Sequence, residues 1–249
     1  MKVLTGTKKG FSALEIQRQL GHRYYGPIWY MLHKIRRSMG KRDDNYLLGN
    51  EVGLDEGFFQ IVPNKERRDE IVMEPENNDG KYKRGKGSQK QATVLVMAGS
   101  ITEEATKKYR YKPNKKVRYI KMKPLTDLSK ETTNLQVEQA IDEKSKATTD
   151  EANNHNDLAK NLTGHKAVVV RDRKGTGKIL PWVHIAISNA KRLLPDVHHS
   201  IGEQYLQNYL DGFCYKFNRK YFNSIFDRAV TNSVSYKREI NILLIQYSY

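Results

Sequence analysis

Two aspartates stand where acids are seldom tolerated. Asp55 lies inside Glu51 to Val62 (EVGLDEGFFQIV), a run that reads as a strand, and Asp150 closes a short run, Ala147 to Asp150, that reads as another. Aspartate is disfavoured in strand interiors unless something uses it. Carboxylates from a first strand and the end of a fourth, with a third ligand on the last helix, are the oxygen donors that can hold two divalent cations for in-line phosphodiester displacement. Glu56 points to the opposite face from Asp55, because side chains alternate along a strand, and is not counted as a ligand. Taken singly, either aspartate could equally be a turn or rim carboxylate.

The second chemical feature is charge. Residues 81 to 123 hold 14 Lys and Arg against only Glu103 and Glu104, a local +12 in a chain whose net charge is +16. Tyr82, Tyr111 and Tyr119 are interleaved with these cations, which suits phosphate neutralisation with occasional base or sugar packing. A solvated strand-and-loop face is the alternative; a membrane surface fits less well, because the segment lacks a helical apolar stripe. Other reactive residue types carry less. Gly175, Gly177 and Lys178 lack the spacing and the Ser or Thr of a P-loop. His198 and His199 are adjacent rather than spaced as a metal pair on one helix face. Cys214, among Phe213, Tyr215 and Phe217, reads as a buried thiol.

The elements that must position these residues can be read along the chain. Ser12 followed by Glu15 is a capping box opening a helix that Gly21 stops, and Pro27 suits the first position of a second helix with Ile28, Met31, Leu32 and Ile35 at helical spacing. Lys34, Arg36, Arg37, Lys41 and Arg42 load that second helix, giving the layout of a helix-turn-helix whose second helix enters a DNA groove. After Asp43 come the strand with Asp55 and a polar stretch, Asn64 to Gly87, that reads as an exposed insertion. The strands Ala92 to Met97 and Val117 to Met122 follow, consecutive enough to form a meander. Next come a helix over Leu128 to Ile141, the strand with Asp150, a helix around Asn156 to Leu162, a strand over Ala167 to Val170, and a helical region from Pro181 with Tyr205, Tyr209, Phe213 and Phe217 facing the core. Three strands, helix, strand, helix, strand, helix is the order of a ribonuclease-H-like α/β domain: a mixed sheet flanked by helices, here preceded by a small helix-turn-helix region.

At 249 residues with 38% hydrophobic content the chain can bury a core, so wholesale disorder is excluded despite its charge. One cysteine excludes a disulfide framework or a cysteine-rich zinc ribbon. The first residues lack a signal-peptide apolar region, and no run approaches the roughly 20 apolar residues a membrane span needs. A soluble, cytoplasmic, nucleoid-associated protein with a polyanionic partner is expected.

Long segments carry a more specific resemblance. FSALEIQRQLGHRYYGPIWYMLHKIRRSMGKRDD, then LDEGFF, then KILPWVHIAISNAKRLL and YLQNYLDGFCYKFNRKYF together resemble bacterial insertion-sequence transposases of the ISXO type, from about Phe11 to Asp227. The resemblance implies a DDE-type polynucleotidyl transferase in which the third acid is replaced by asparagine. Asp55 would be the first catalytic residue, Asp150 the second, and Asn189 the third, with 38 residues between it and Asp150. All three would bind Mg²⁺ or Mn²⁺, since an amide oxygen can ligate a hard cation without adding charge. Lys191 would be the basic residue beside them, although Arg192, at i+3, shares a helical face with Asn189 and is the geometric alternative. The implied partner is double-stranded DNA, both element ends and target, held by a homo-oligomer. Arg36, Arg37, Lys41, Arg42, Lys115, Lys116 and Arg118 are the expected DNA contacts.

The expected organisation is a helix-turn-helix DNA-binding region over 1–45, a catalytic domain over 46–229 with an exposed basic insertion at about 64–90, and an atypical tail over 230–249. Relatives usually begin with a zinc ribbon that this sequence lacks, so the expectation includes a truncated copy. The rival to an active transposase is a non-catalytic DNA-binding remnant or repressor derived from one; a basic RNA-binding protein is disfavoured by the helix-turn-helix and the widely spaced acids.

Overall fold

The computed structural model describes residues 5–6, 10–73, 88–102, 115–127, 129–150, 162, 164–168 and 179–235. The first helix, α1 (Ala13–Leu20), starts where expected: the Ser12 hydroxyl accepts the Glu15 N–H at 3.1 Å. Gly21 ends it in a left-handed conformation, φ 62°, that returns backbone N–H groups to the last turn. Only the serine half of the capping box is described, and the Glu15 carboxylate accepts from Gln19 Nε2. Helix α2 (Tyr25–Asp44) begins two residues before Pro27, which sits in the first turn where its missing N–H has no helical acceptor to lose.

Five strands form one sheet in the order β3-β2-β1-β4-β5. Strands β1 (Glu51–Gln60), β2 (Gln91–Thr102) and β3 (Lys115–Pro124) are the expected antiparallel meander, and β4 (Lys146–Asp150) and β5 (Gly164–Val168) run parallel to β1. This is the ribonuclease-H-like arrangement. Helix α3 (Lys65–Met73) occupies the start of the expected insertion, whose residues 74–87 lie outside the described ones. Helix α4 (Lys130–Ala140) is capped by the Ser129 hydroxyl and is shorter than the expected Leu128 to Ile141. Strand β5 starts three residues before Ala167, and the helix expected around Asn156 to Leu162 falls outside the described residues except for Leu162. Helices α5 (Pro181–Val197), α6 (Leu206–Asn218) and α7 (Ile225–Ser235) are the last of the described helices.

Alternation along the strands sends two core layers to opposite faces. Val94, Val96, Ile120 and Met122 pack with Val183, Ala186, Ile187 and Ala190 of α5 and Leu206 and Leu210 of α6. Val52, Leu54, Leu95 and Met97 pack with Val137, Ala140 and Ile141 at α4. A bulge keeps β3 in register with both layers: Tyr119 pairs with Gly99 and Val117 with Ser100, so Arg118 is the extra residue, and Val117 and Ile120 both reach the α5 side. A third cluster joins Ala13, Ile16, Ile28, Leu32, Ile35 and Met39 to Tyr215 of α6 and Ala229 of α7. The expected boundary at residue 45 therefore crosses a shared core, and that at 230 falls inside α7. Among the described residues no helix is long and apolar enough to cross a membrane.

Candidate active site

Asp55 is built into a strand that approaches its covering helix unusually closely. Its neighbours on the same face are Gly53 and Gly57. A Cβ at Gly53 would lie 3.0 Å from Leu180 and 3.1 Å from Val183; one at Gly57 would lie 2.9 Å from the Phe59 ring and 3.4 Å from Ile187. The two glycines let the first two turns of α5 settle on β1, with the Asp55 side chain between them. Asp55 Oδ1 accepts the Glu56 N–H at 2.8 Å. Oδ2 stands 3.6 Å from Nδ1 of His184, a charge contact when the imidazole is protonated and longer than a hydrogen bond. At 17% exposure the Asp55 side chain is screened but reachable.

Strand β4 brings the second aspartate's backbone alongside. Leu54 is in register with Thr149, so Asp150 occupies the next position of the neighbouring parallel strand, at the C-terminal end of β4. Adjacent strands lie roughly 4.8 Å apart, and Asp150 itself pairs with Val168 of β5. Among the described residues no group of three or more His, Cys, Asp and Glu converges as a metal cluster. The donor chemistry at Asp55 nevertheless suits a hard divalent cation: one carboxylate, oxygen-ligating, on the face towards α5, with an imidazole beside it.

Helix α5 separates its polar residues into two stripes. His184 and Lys191 are seven positions apart, hence nearly superposed on a 3.6-residue helix. Lys191 is exposed and its Nζ lies 5.9 Å from the centroid of Phe59, four residues along β1 from Asp55. Asn189 lies off that stripe, where its Oδ1 accepts from Arg192 Nη2 at 2.8 Å. The structure thus brings His184 to Asp55, sets Lys191 on the Asp55 side of the helix, and joins Asn189 to Arg192. His184 is the residue that sequence reading missed. The signal was available: it shares a stripe with Leu180, Ile187 and Lys191, of which Leu180 and Ile187 meet the glycines flanking Asp55.

The expected DNA contacts divide sharply. Arg36 is only 8% exposed; its guanidinium lies 4.5 Å from the centroid of Tyr209, and burial lowers its pKa. It faces α6 rather than solvent, which corrects its reading as a DNA contact. The reason is helical phase: Ile28, Leu32, Ile35, Arg36 and Met39 are all buried, and the opposite stripe is Lys34, Arg37 and Lys41. Arg42 is half-buried, with its guanidinium 5.1 Å over Tyr46. Lys116 and Arg118 are exposed on β3, the edge strand. The Lys115 side chain lies outside the described ones, as do Gly175, Gly177 and Lys178. Cys214 is buried as expected, which raises its pKa, and His198 packs 4.5 Å from Tyr209, its pKa lowered to about 3 by burial and then by Arg36.

Comparison with known proteins adds two findings. A family model described as an ISXO2-like transposase domain matches residues 47–218. Among solved structures, the crystal structure of a pre-cleavage Mos1 transpososome is similar at 11% identity, over 83% of this chain and 64% of that one, with a TM-score of 0.33. The chain therefore spans just under two thirds of that protein. No curated protein matches.

Proposed function

The chain belongs to the family of ISXO2-like transposase domains, and from that premise we propose that it cuts DNA at the ends of an insertion sequence and joins the freed 3′ hydroxyl to target DNA. The observation that carries this reading is the seat of Asp55: a carboxylate held between Gly53 and Gly57 under α5, with Asp150 at the next register position.

Asp55, Asp150 and Asn189 are the residues proposed to hold Mg²⁺ or Mn²⁺. When bound, such a cation would polarise the attacking oxygen and stabilise the leaving one. The chain's own residues supply the rest. The Glu56 N–H fixes Oδ1 of Asp55, leaving Oδ2 directed towards α5. His184 Nδ1 stands where it can exchange a proton near that oxygen. Lys191, on the same stripe beyond Phe59, is placed to meet a DNA phosphate. Asn189 would have to exchange its contact with Arg192 to ligate through Oδ1.

In this reading residues 1–45 bind DNA, with Arg37 exposed and Lys41 half-buried on one stripe of α2. Residues 46–229 carry catalysis, with Lys115, Lys116 and Arg118 tracking the backbone. The substrate is double-stranded DNA in the cytoplasm, at the nucleoid, and the active complex holds more than one copy because two element ends must be brought together.

The test is nicking of a plasmid bearing the element's ends. Asp55→Asn and Asp150→Asn should each remove Mg²⁺-dependent cleavage while leaving duplex affinity within about threefold, because the phosphate-binding charge lies elsewhere. Cleavage retained in either variant sinks the assignment of that residue. Duplex binding by the unaltered chain without any cleavage would favour a non-catalytic repressor.

A further inference from the structure

We propose that the cleft between the C-terminal end of α2, β3 and α7 is a nucleoside-phosphate site, sized for one unstacked nucleotide. That the nucleotide belongs to a DNA strand rests on the transposase reading; the site's chemistry does not.

The cleft has a volume of about 310 Å³. That is at the small end of ligand pockets, enough for one base with its phosphate and far too little for a duplex. It is distinct from the Asp55 site: Tyr119, in its wall, packs on the α4 side of the sheet, whereas Asp55 faces α5.

Its walls combine π faces with guanidinium groups. Tyr46 and Tyr119 are stacked, their planes within 3° and their centroids 5.8 Å apart, so each turns one face to the other and both line the cleft. Arg42 lies 5.1 Å over Tyr46, and Arg228 lies 5.1 Å over Phe222 of the facing wall. Bases stack on such rings regardless of sequence because every base has a π face, and arginine strengthens the stack while reaching the phosphate.

The floor explains why two cations remain for a ligand. Arg219, 4% exposed, is neutralised by Asp43 at 2.6 Å and stacked 3.7 Å from Tyr215. Arg42 and Arg228 enter no ion pair among the described residues, and Asp227 is the sole acid in the lining. The walls are anchored independently of any ligand, since Asn218 clamps Ile120, next to Tyr119, through both its backbone N–H and C=O, and also donates to Asp43. One net positive charge beyond the satisfied Arg219, carried by two arginines beside aromatic rings, suits the anionic phosphate of a nucleotide, whether diester or monoester. It does not match a metal ion, which would need converging carboxylates, nor an acyl chain, which would need an apolar tunnel.

Calorimetric titration of the whole chain tests this with four probes: dAMP, inorganic phosphate, a six-nucleotide single strand and a blunt hairpin duplex. Arg42→Ala with Arg228→Ala should weaken dAMP and the single strand by tenfold or more and the duplex by a smaller factor. Tyr46→Leu should weaken dAMP about tenfold and leave inorganic phosphate unchanged, the loss expected of one stacked base. A single strand that binds more than tenfold tighter than dAMP identifies a strand as the ligand, and equal affinities identify a free nucleotide; either supports the site. Inorganic phosphate displacing dAMP at equal concentration would overturn it, as would dAMP affinity indifferent to all three substitutions. If the unaltered chain binds no duplex at all, the DNA reading falls, and the dAMP titration still judges the cleft.

Discussion

The two sides of this molecule use charged residues in opposite ways. Against β1, one carboxylate, Asp55, is left reachable between two glycines, and the helix above it contributes an imidazole at 3.6 Å rather than a neutralising arginine. Between α2, α6 and α7, charges are buried: Asp43 takes Arg219 at 2.6 Å and the Asn218 amide at 3.0 Å, while Arg36 is set over the Tyr209 ring. Burying an unpaired charge is expensive, so paired charges in the second region can fix packing but do no chemistry. A carboxylate that water still reaches is the one available to bind a cation. Charge is therefore an ambiguous sign of function, and its partners decide the matter.

The largest effect expected is on the buried pair. Asp43→Ala strands Arg219 beside Tyr215 and removes the acceptor that orients Asn218 on β3. It should cost about 3–5 kcal/mol of folding stability, read from urea unfolding midpoints, whereas Asp55→Ala should cost under about 1 kcal/mol. If the two substitutions destabilise equally, the contrast between structural and functional acids fails. Replacing Asp43 and Arg219 together by apolar residues of similar volume should recover most of the loss, since neither charge is then left alone.

A methyl group should break the other region. Gly57→Ala places a Cβ 2.9 Å from the Phe59 ring and 3.4 Å from Ile187. The ring or α5 must give way, which predicts a loss of about 1–3 kcal/mol and a fall in cleavage larger than that stability loss explains. The same change at Gly21 meets no atom within 4 Å and strains only the left-handed backbone, so it should leave cleavage unaltered. Equal activities in the two variants would show that close seating of α5 on β1 is not needed.

Much of this was legible in the sequence, for identifiable reasons. Strand alternation and Ser, Gly and Pro punctuation located β1 to β4, α1, α4 and the start of α5, because these are local signals. Asp55 stood out because it is an acid inside a strand. His184 did not, because its meaning depends on Gly53 and Gly57 more than 120 residues earlier, which let the helix close on the strand. The bulge at Arg118 was equally hidden, being a property of the pairing between β2 and β3 rather than of either strand. Arg36 was misread because composition counts cations while helical phase decides which of them water reaches.

That misreading supplies the smallest and sharpest test. Arg36 and Arg37 are neighbours of the same type, 100° apart on α2, and one is buried on Tyr209 while the other is exposed on the stripe with Lys34 and Lys41. A phosphate contact releases condensed counterions, so its loss flattens the dependence of log affinity on log salt by about 0.9. Arg37→Ala should therefore lower that slope by about one contact and weaken binding severalfold at low salt, with unfolding unchanged. Arg36→Met keeps the volume against Tyr209 and removes a charge the solvent does not see. It should leave the slope as it was and shift stability by about 1 kcal/mol or less, since a thioether against the ring partly replaces the cation–π attraction. Salt titrations of duplex binding for both variants check the pair together. A slope that falls for Arg36→Met and holds for Arg37→Ala would mean that α2 meets DNA through the face packed on α6, and that the helix must leave that packing to do so.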